Sequence, residues 1–98
     1  MQVGDTVRGL VELTRPTNAV AAGVLAVVGG VVALDSPSTA DGVAILAASA
    51  TTALATGGGM AINDYFDREI DRTNDPDRPI PRGAVTPRAA LAFSGVLF

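Results

Sequence analysis

Asn63, Asp64, Asp67, Glu69 and Asp71 crowd one amide and four carboxylic acids into the stretch Asn63-Asp64-Tyr65-Phe66-Asp67-Arg68-Glu69-Ile70-Asp71. On a continuous helix, Asn63, Asp67 and Asp71 stand at i, i+4 and i+8, with Asp64 beside them inside an arc of roughly 100°. Like charges at that spacing cost about 0.2–0.5 kcal/mol per pair, so such a stripe is favourable only where something positive binds it. The donors are all oxygen, and the chain contains neither histidine nor cysteine. That excludes a thiolate nucleophile, a disulfide framework and a nitrogen- or sulfur-ligated metal, and leaves a hard cation such as Mg²⁺ or Mn²⁺. Two carboxylates and an amide can hold Mg²⁺ while leaving coordination positions open for phosphate and water.

The counter-charges are all arginine: Arg8, Arg15, Arg68, Arg72, Arg78, Arg82 and Arg88, with no lysine. Arg78 and Arg82 lie in Asp77-Arg78-Pro79-Ile80-Pro81-Arg82-Gly83, a segment stiffened by proline. Their guanidinium forks suit bidentate contact with a diphosphate. Blander readings exist for each residue taken singly. Asp64 can pair with Arg68 at i, i+4 on a solvated helix end, Arg15 can anchor at a lipid interface, and the other arginines can serve topology alone. The acids as a set, placed between an uncharged run and an arginine-bearing loop, read as a Mg²⁺-diphosphate site at a membrane face.

Two long apolar elements must position these groups. Arg15 and Asp35 enclose an uncharged run over 16–34, and Asp41 and Asp64 enclose another over 42–63; a bilayer core asks for about 20 residues. Both runs are rich in Ala, Gly and Val, which suits close helix packing in lipid. The expected organisation is all-α: a surface helix over 1–14, membrane spans over 17–34 and 42–63, an Asp-rich helix end and Arg/Pro loop over 64–86, and a third apolar helix from 87 that is still unfinished at 98. A soluble bundle is the alternative, but burying two such runs in so small a protein is hard. The first run is too long for a signal-peptide core. Arg8 and Arg15 precede the first span, and the other arginines follow the second, so the positive-inside rule puts both ends of the hairpin in the cytoplasm. Asn18, polar and just inside the first span, is a candidate for the cavity lining. Gly57-Gly58-Gly59 reads as a place of close helix approach or bending. Thr86-Pro87 reads as an N-cap followed by proline in the first turn. The formal net charge of −3 offers no footprint for nucleic acid.

Asn63-Asp64-x-x-Asp67-x-x-x-Asp71, followed by Asp77-Arg78-Pro79-Ile80-Pro81-Arg82-Gly83 and preceded by Arg15-Pro16-x-Asn18, resembles the UbiA superfamily of intramembrane prenyltransferases. Within it the chain looks most like the archaeal geranylgeranylglycerol-phosphate geranylgeranyltransferases. The resemblance implies a bundle of nine transmembrane helices with two Asp-rich motifs that hold Mg²⁺ and a prenyl diphosphate on the cytoplasmic side. It implies Asn63, Asp67 and Asp71 as metal or diphosphate ligands with Asp64 in support, Asn18 in the cavity, and Arg78, with Arg82 and Arg15, near the diphosphate. The expected reaction is ionisation of the allylic C–O bond and capture of the carbocation by a lipid or aromatic acceptor. The second Asp-rich motif is not in this sequence, so the 98 residues are expected to be the N-terminal part of a longer enzyme and inactive alone. Two rivals remain at this stage: a CDP-alcohol phosphotransferase, whose aspartate spacing is not matched here, and a non-catalytic membrane hairpin.

Overall fold

The computed structural model describes residues 3–35 and 38–98, which form five helices and, among these residues, no strand. The helices are α1 (Val3–Leu13), α2 (Pro16–Ala33), α3 (Thr39–Phe66), α4 (Arg68–Asn74) and α5 (Pro87–Leu97). Met1 and Gln2 of the expected surface helix, and Ser36 and Pro37 between the two expected spans, lie outside the described residues. The second apolar helix begins at Thr39, earlier than the charge pattern suggests. Ser38 Oγ accepts from the Asp41 backbone N–H at 3.2 Å while the Asp41 carboxylate accepts from the Ser38 backbone N–H at 3.0 Å. This reciprocal capping box satisfies donors that a helix start otherwise leaves bare.

α2 packs along α3, and α3 carries α5 on another face. The contacts between α2 and α3 are made by small residues. The Ser49 hydroxyl of α3 donates to the Gly23 carbonyl of α2 at 2.8 Å, and a Cβ added at Gly23 would stand 3.1 Å from that hydroxyl oxygen. Large apolar side chains point the other way: Val20, Val24, Leu25, Val28, Val32, Val43 and Leu46 are all exposed. A water-soluble bundle arranges these two classes in reverse. Small residues inside and Val and Leu outside are the packing of helices in lipid, where close backbone approach supplies the attraction. Both α2 and α3 are long and apolar enough to cross a membrane. At about 1.5 Å per residue, the 28 residues of α3 reach about 42 Å, longer than a hydrocarbon core of about 30 Å.

The most tightly packed region surrounds the C-terminal end of α3. Leu13 of α1, Ala61 of α3, Ala90 of α5 and Ile80, Ala84 and Val85 of the connecting loop form one buried cluster. The loop over 75–86 is thus a compact, hydrogen-bonded unit. The backbone N–H groups of Ala84 and Val85 both donate to the Pro79 carbonyl, at 3.0 and 3.2 Å, and Gly83 takes the left-handed φ of 84° that the turn requires. α1 lies against this unit at Gly9, where a Cβ would meet Val85 at 2.9 Å. Thr86 caps α5 by accepting from the Ala89 N–H at 3.1 Å, with Pro87 at the first turn, the start that Thr86-Pro87 signals.

Candidate functional site

The acidic ladder lies where α3 gives way to α4. The helix does not run through unchanged: Asp67, at φ −88° and ψ 3°, is both the last cap of α3 and the first of α4. The backbone nevertheless keeps the i to i+4 spacing across the junction. The N–H of Asp67 donates to the Asn63 carbonyl, that of Asp71 to Asp67, and that of Asp75 to Asp71, each at 2.8 Å. Asn63, Asp67 and Asp71 therefore stay in one file despite the break. Asn63 and Asp67 are exposed and Asp71 is half-buried. Burial raises the Asp71 carboxyl above the ordinary aspartate range, and the like charges of Asp64, Asp67 and Asp75 raise it further, with Arg78 opposing.

Asp64 occupies a different environment from its neighbours. It is only 2% exposed. Its Oδ1 accepts from Arg15 Nη2 at 3.1 Å, and its Oδ2 accepts from Arg78 Nε at 3.0 Å and also from Arg78 Nη2. Arg68, the i+4 neighbour, turns instead to the Tyr65 carbonyl at 2.7 Å and stacks over the Tyr65 ring at 4.4 Å. Arg15 is itself conformationally unusual, with a left-handed φ of 48° at the junction of α1 and α2. A non-glycine residue pays about 1–2 kcal/mol there, and its ion pair with a buried carboxylate helps hold it in place.

Arg82 is directed elsewhere. It forms a bidentate pair with Glu12 of α1, both contacts at 3.0 Å, and donates to the Asp77 carbonyl at 2.7 Å. The pair holds Glu12 below the ordinary carboxylate range and raises Arg82. Sequence reasoning missed Glu12, whose partner lies 70 residues away. Arg15 and Arg78, with Glu12, Pro16, Thr17 and the exposed Asn18, line a cleft of about 300 Å³. The structure thus gathers Arg15, Asn18, Asp64 and Arg78 at one place, keeps Asn63, Asp67 and Asp71 in file beside them, and commits Arg82 to α1.

Residues 22–98 match the UbiA prenyltransferase family along most of the chain. The chain belongs to the UbiA prenyltransferase family. It is 61% identical over 94 residues to the digeranylgeranylglyceryl phosphate synthase of Halobacterium salinarum, an alignment covering 96% of this chain and 33% of that protein. It is 59% identical over 96 residues to the protein of that name from Natronomonas pharaonis, covering 96% and 33%. Its identity to the Thermococcus gammatolerans counterpart is 47% over 91 residues, covering 93% and 32%. The chain spans about a third of the length of the curated relatives it matches. No solved structure matches it.

The UbiA resemblance implies Mg²⁺, and the donor set fits that ion in part. Among the described residues, no three acidic groups come close enough together to enclose a metal. What the UbiA-family chain does present is a file of hard oxygen donors, in which like charges already crowd Asp71. Such a file suits an ion that binds one or two carboxylates and completes its shell with phosphate and water.

Proposed function

We propose that this chain is the part of a membrane prenyltransferase that carries its first Asp-rich motif. The complete protein would transfer a geranylgeranyl group from its diphosphate to geranylgeranylglycerol phosphate, a step in archaeal ether-lipid synthesis. The observation that carries this reading is the juxtaposition of the Asn63/Asp67/Asp71 file with the Arg15–Asp64–Arg78 cluster at the end of an apolar helix. The name borne by relatives up to 61% identical supports the choice of donor and acceptor. In the complete enzyme, Asn63, Asp67 and Asp71 would hold Mg²⁺ jointly with groups from the remainder of the protein. When bound, Mg²⁺ supplies neutralisation of the charge that builds on the departing diphosphate. Arg15 and Arg78 bind the same anion by charge-assisted hydrogen bonds and orient its leaving oxygen. The outward-facing Val and Leu residues keep the site in lipid, where the prenyl chain resides and water is scarce. The protein lies in the cell membrane as a multi-pass chain, with the ladder on the cytoplasmic side, as the arginine distribution argues.

The test is binding of geranylgeranyl diphosphate to the product of the complete reading frame, with and without Mg²⁺. Binding is expected to need Mg²⁺ and to be lost in Asp67→Asn and Asp71→Asn. Equal binding without the metal, or binding untouched by both substitutions, refutes the site.

A further inference from the structure

Asp64 belongs to the acidic ladder by sequence but not by environment. Its side chain is 3% exposed, and both of its oxygens are engaged by guanidinium N–H groups. No open face remains on it for a cation. The two arginines it grips come from distant places, the α1–α2 junction and the proline loop, yet both line the cleft of about 300 Å³ beside Thr17 and Asn18. One carboxylate between two guanidiniums leaves the cluster with a net positive charge. The acid on the cleft wall, Glu12, is already paired with Arg8 and Arg82. Arg15 keeps 45% of its side chain exposed, enough to meet a ligand while still bound to Asp64.

We infer that Asp64 is a positioning residue: it fixes Arg15 and Arg78 as paired forks over this cleft to receive the diphosphate of the prenyl donor, and is not a ligand of the cation. The inference rests on the prenyltransferase reading above. An arginine gripping an anion loses rotamer freedom, and one already held in place loses less, so Asp64 contributes to donor binding without touching the donor.

The experiment uses membranes carrying the complete reading frame, with steady-state kinetics in geranylgeranyl diphosphate and in Mg²⁺. Asp64→Asn is expected to raise KM for the diphosphate by about tenfold, the scale of one weakened charge-assisted hydrogen bond. The Mg²⁺ concentration giving half-maximal rate should stay at the wild-type value, whereas Asp67→Asn should give no transfer at any Mg²⁺ concentration. Arg78→Gln should raise KM similarly, and the double variant should be little worse than either single one, because both remove the same arrangement. Asp64→Glu keeps the charge but displaces the forks by one methylene, so it should fold and still raise KM. A shift in Mg²⁺ requirement with Asp64→Asn would make Asp64 a ligand and overturn the inference. So would an unchanged KM in Asp64→Glu. A wild type that transfers no prenyl group would instead defeat the functional reading, and this inference with it.

Discussion

Replacing Arg78 by alanine should be markedly more damaging to the fold than replacing Arg15, although both pair with Asp64. Arg78 supplies two of the three N–H groups on that carboxylate, is only 19% exposed, and also reaches the Glu12 carbonyl at 3.4 Å. Removing one partner of a buried ion pair costs about 3–5 kcal/mol when the remaining charge is left alone. Asp64 would retain Arg15, so about 2–3 kcal/mol is expected for Arg78→Ala. Arg15 contributes one hydrogen bond from a side chain 45% exposed, and solvent screening reduces its share to about 1 kcal/mol or less. Arg15→Gly should cost still less, because glycine adopts the left-handed φ of 48° without strain. The assay is equilibrium unfolding of the complete protein in mixed micelles of dodecyl maltoside and increasing SDS, followed by circular dichroism. An Arg15→Ala variant as destabilised as Arg78→Ala, or an Arg78→Ala variant indistinguishable from wild type, would refute Asp64 as a buried charge held mainly by the loop.

Two further outcomes are checked by related measurements. Gly23→Ala should cost about 1–3 kcal/mol, because its Cβ would stand 3.1 Å and 3.3 Å from the Ser49 hydroxyl and carbonyl oxygens, whereas Gly59→Ala, with nothing within 4 Å, should be neutral or stabilising in the same unfolding assay. Glu12, whose carboxyl is lowered chiefly by its hydrogen bond to Arg82, adds stability that is present above the ordinary glutamate range and lost as pH falls through its lowered folded value. Glu12→Gln should therefore be less thermostable than wild type at neutral pH, by up to about 1 kcal/mol, and the gap should close on acidification.

Local chemistry made much of the scaffold legible. The two uncharged runs became α2 and α3 because nothing in them interrupts a lipid-compatible helix, and Thr86-Pro87 became the start of α5 because its capping works within four residues. α3 starts at Thr39, ahead of the uncharged run, because Asp41 is the third residue of the helix and completes a capping box with Ser38. The prolines of the loop over 75–86 predict a stiff carrier of arginines. Its apolar members, Ile80, Ala84 and Val85, turn out to be core, a role that depends on Leu13 and Ala90 arriving from elsewhere. The division of labour among the acids and arginines was the least legible. Asp64 and Asp67 are three residues apart and chemically identical, yet one is enclosed by guanidiniums and the other faces solvent. Contacts across 49 and 70 residues decide this, and spacing along one helix carries no trace of them.

The Arg15–Asp64–Arg78 cluster also imposes an order on biosynthesis. Arg15 and Asp64 are separated by 49 residues and Asp64 and Arg78 by 14, so the ribosome delivers the two cations on either side of the anion. The first ion pair can close once the α2–α3 hairpin has formed, drawing both of its ends together. The second closes only after the proline loop has emerged and folded over α1. The carboxylate is therefore held by one guanidinium for a short interval, and arrival of the loop brings the second, turns the cluster net positive and clamps the hairpin ends together.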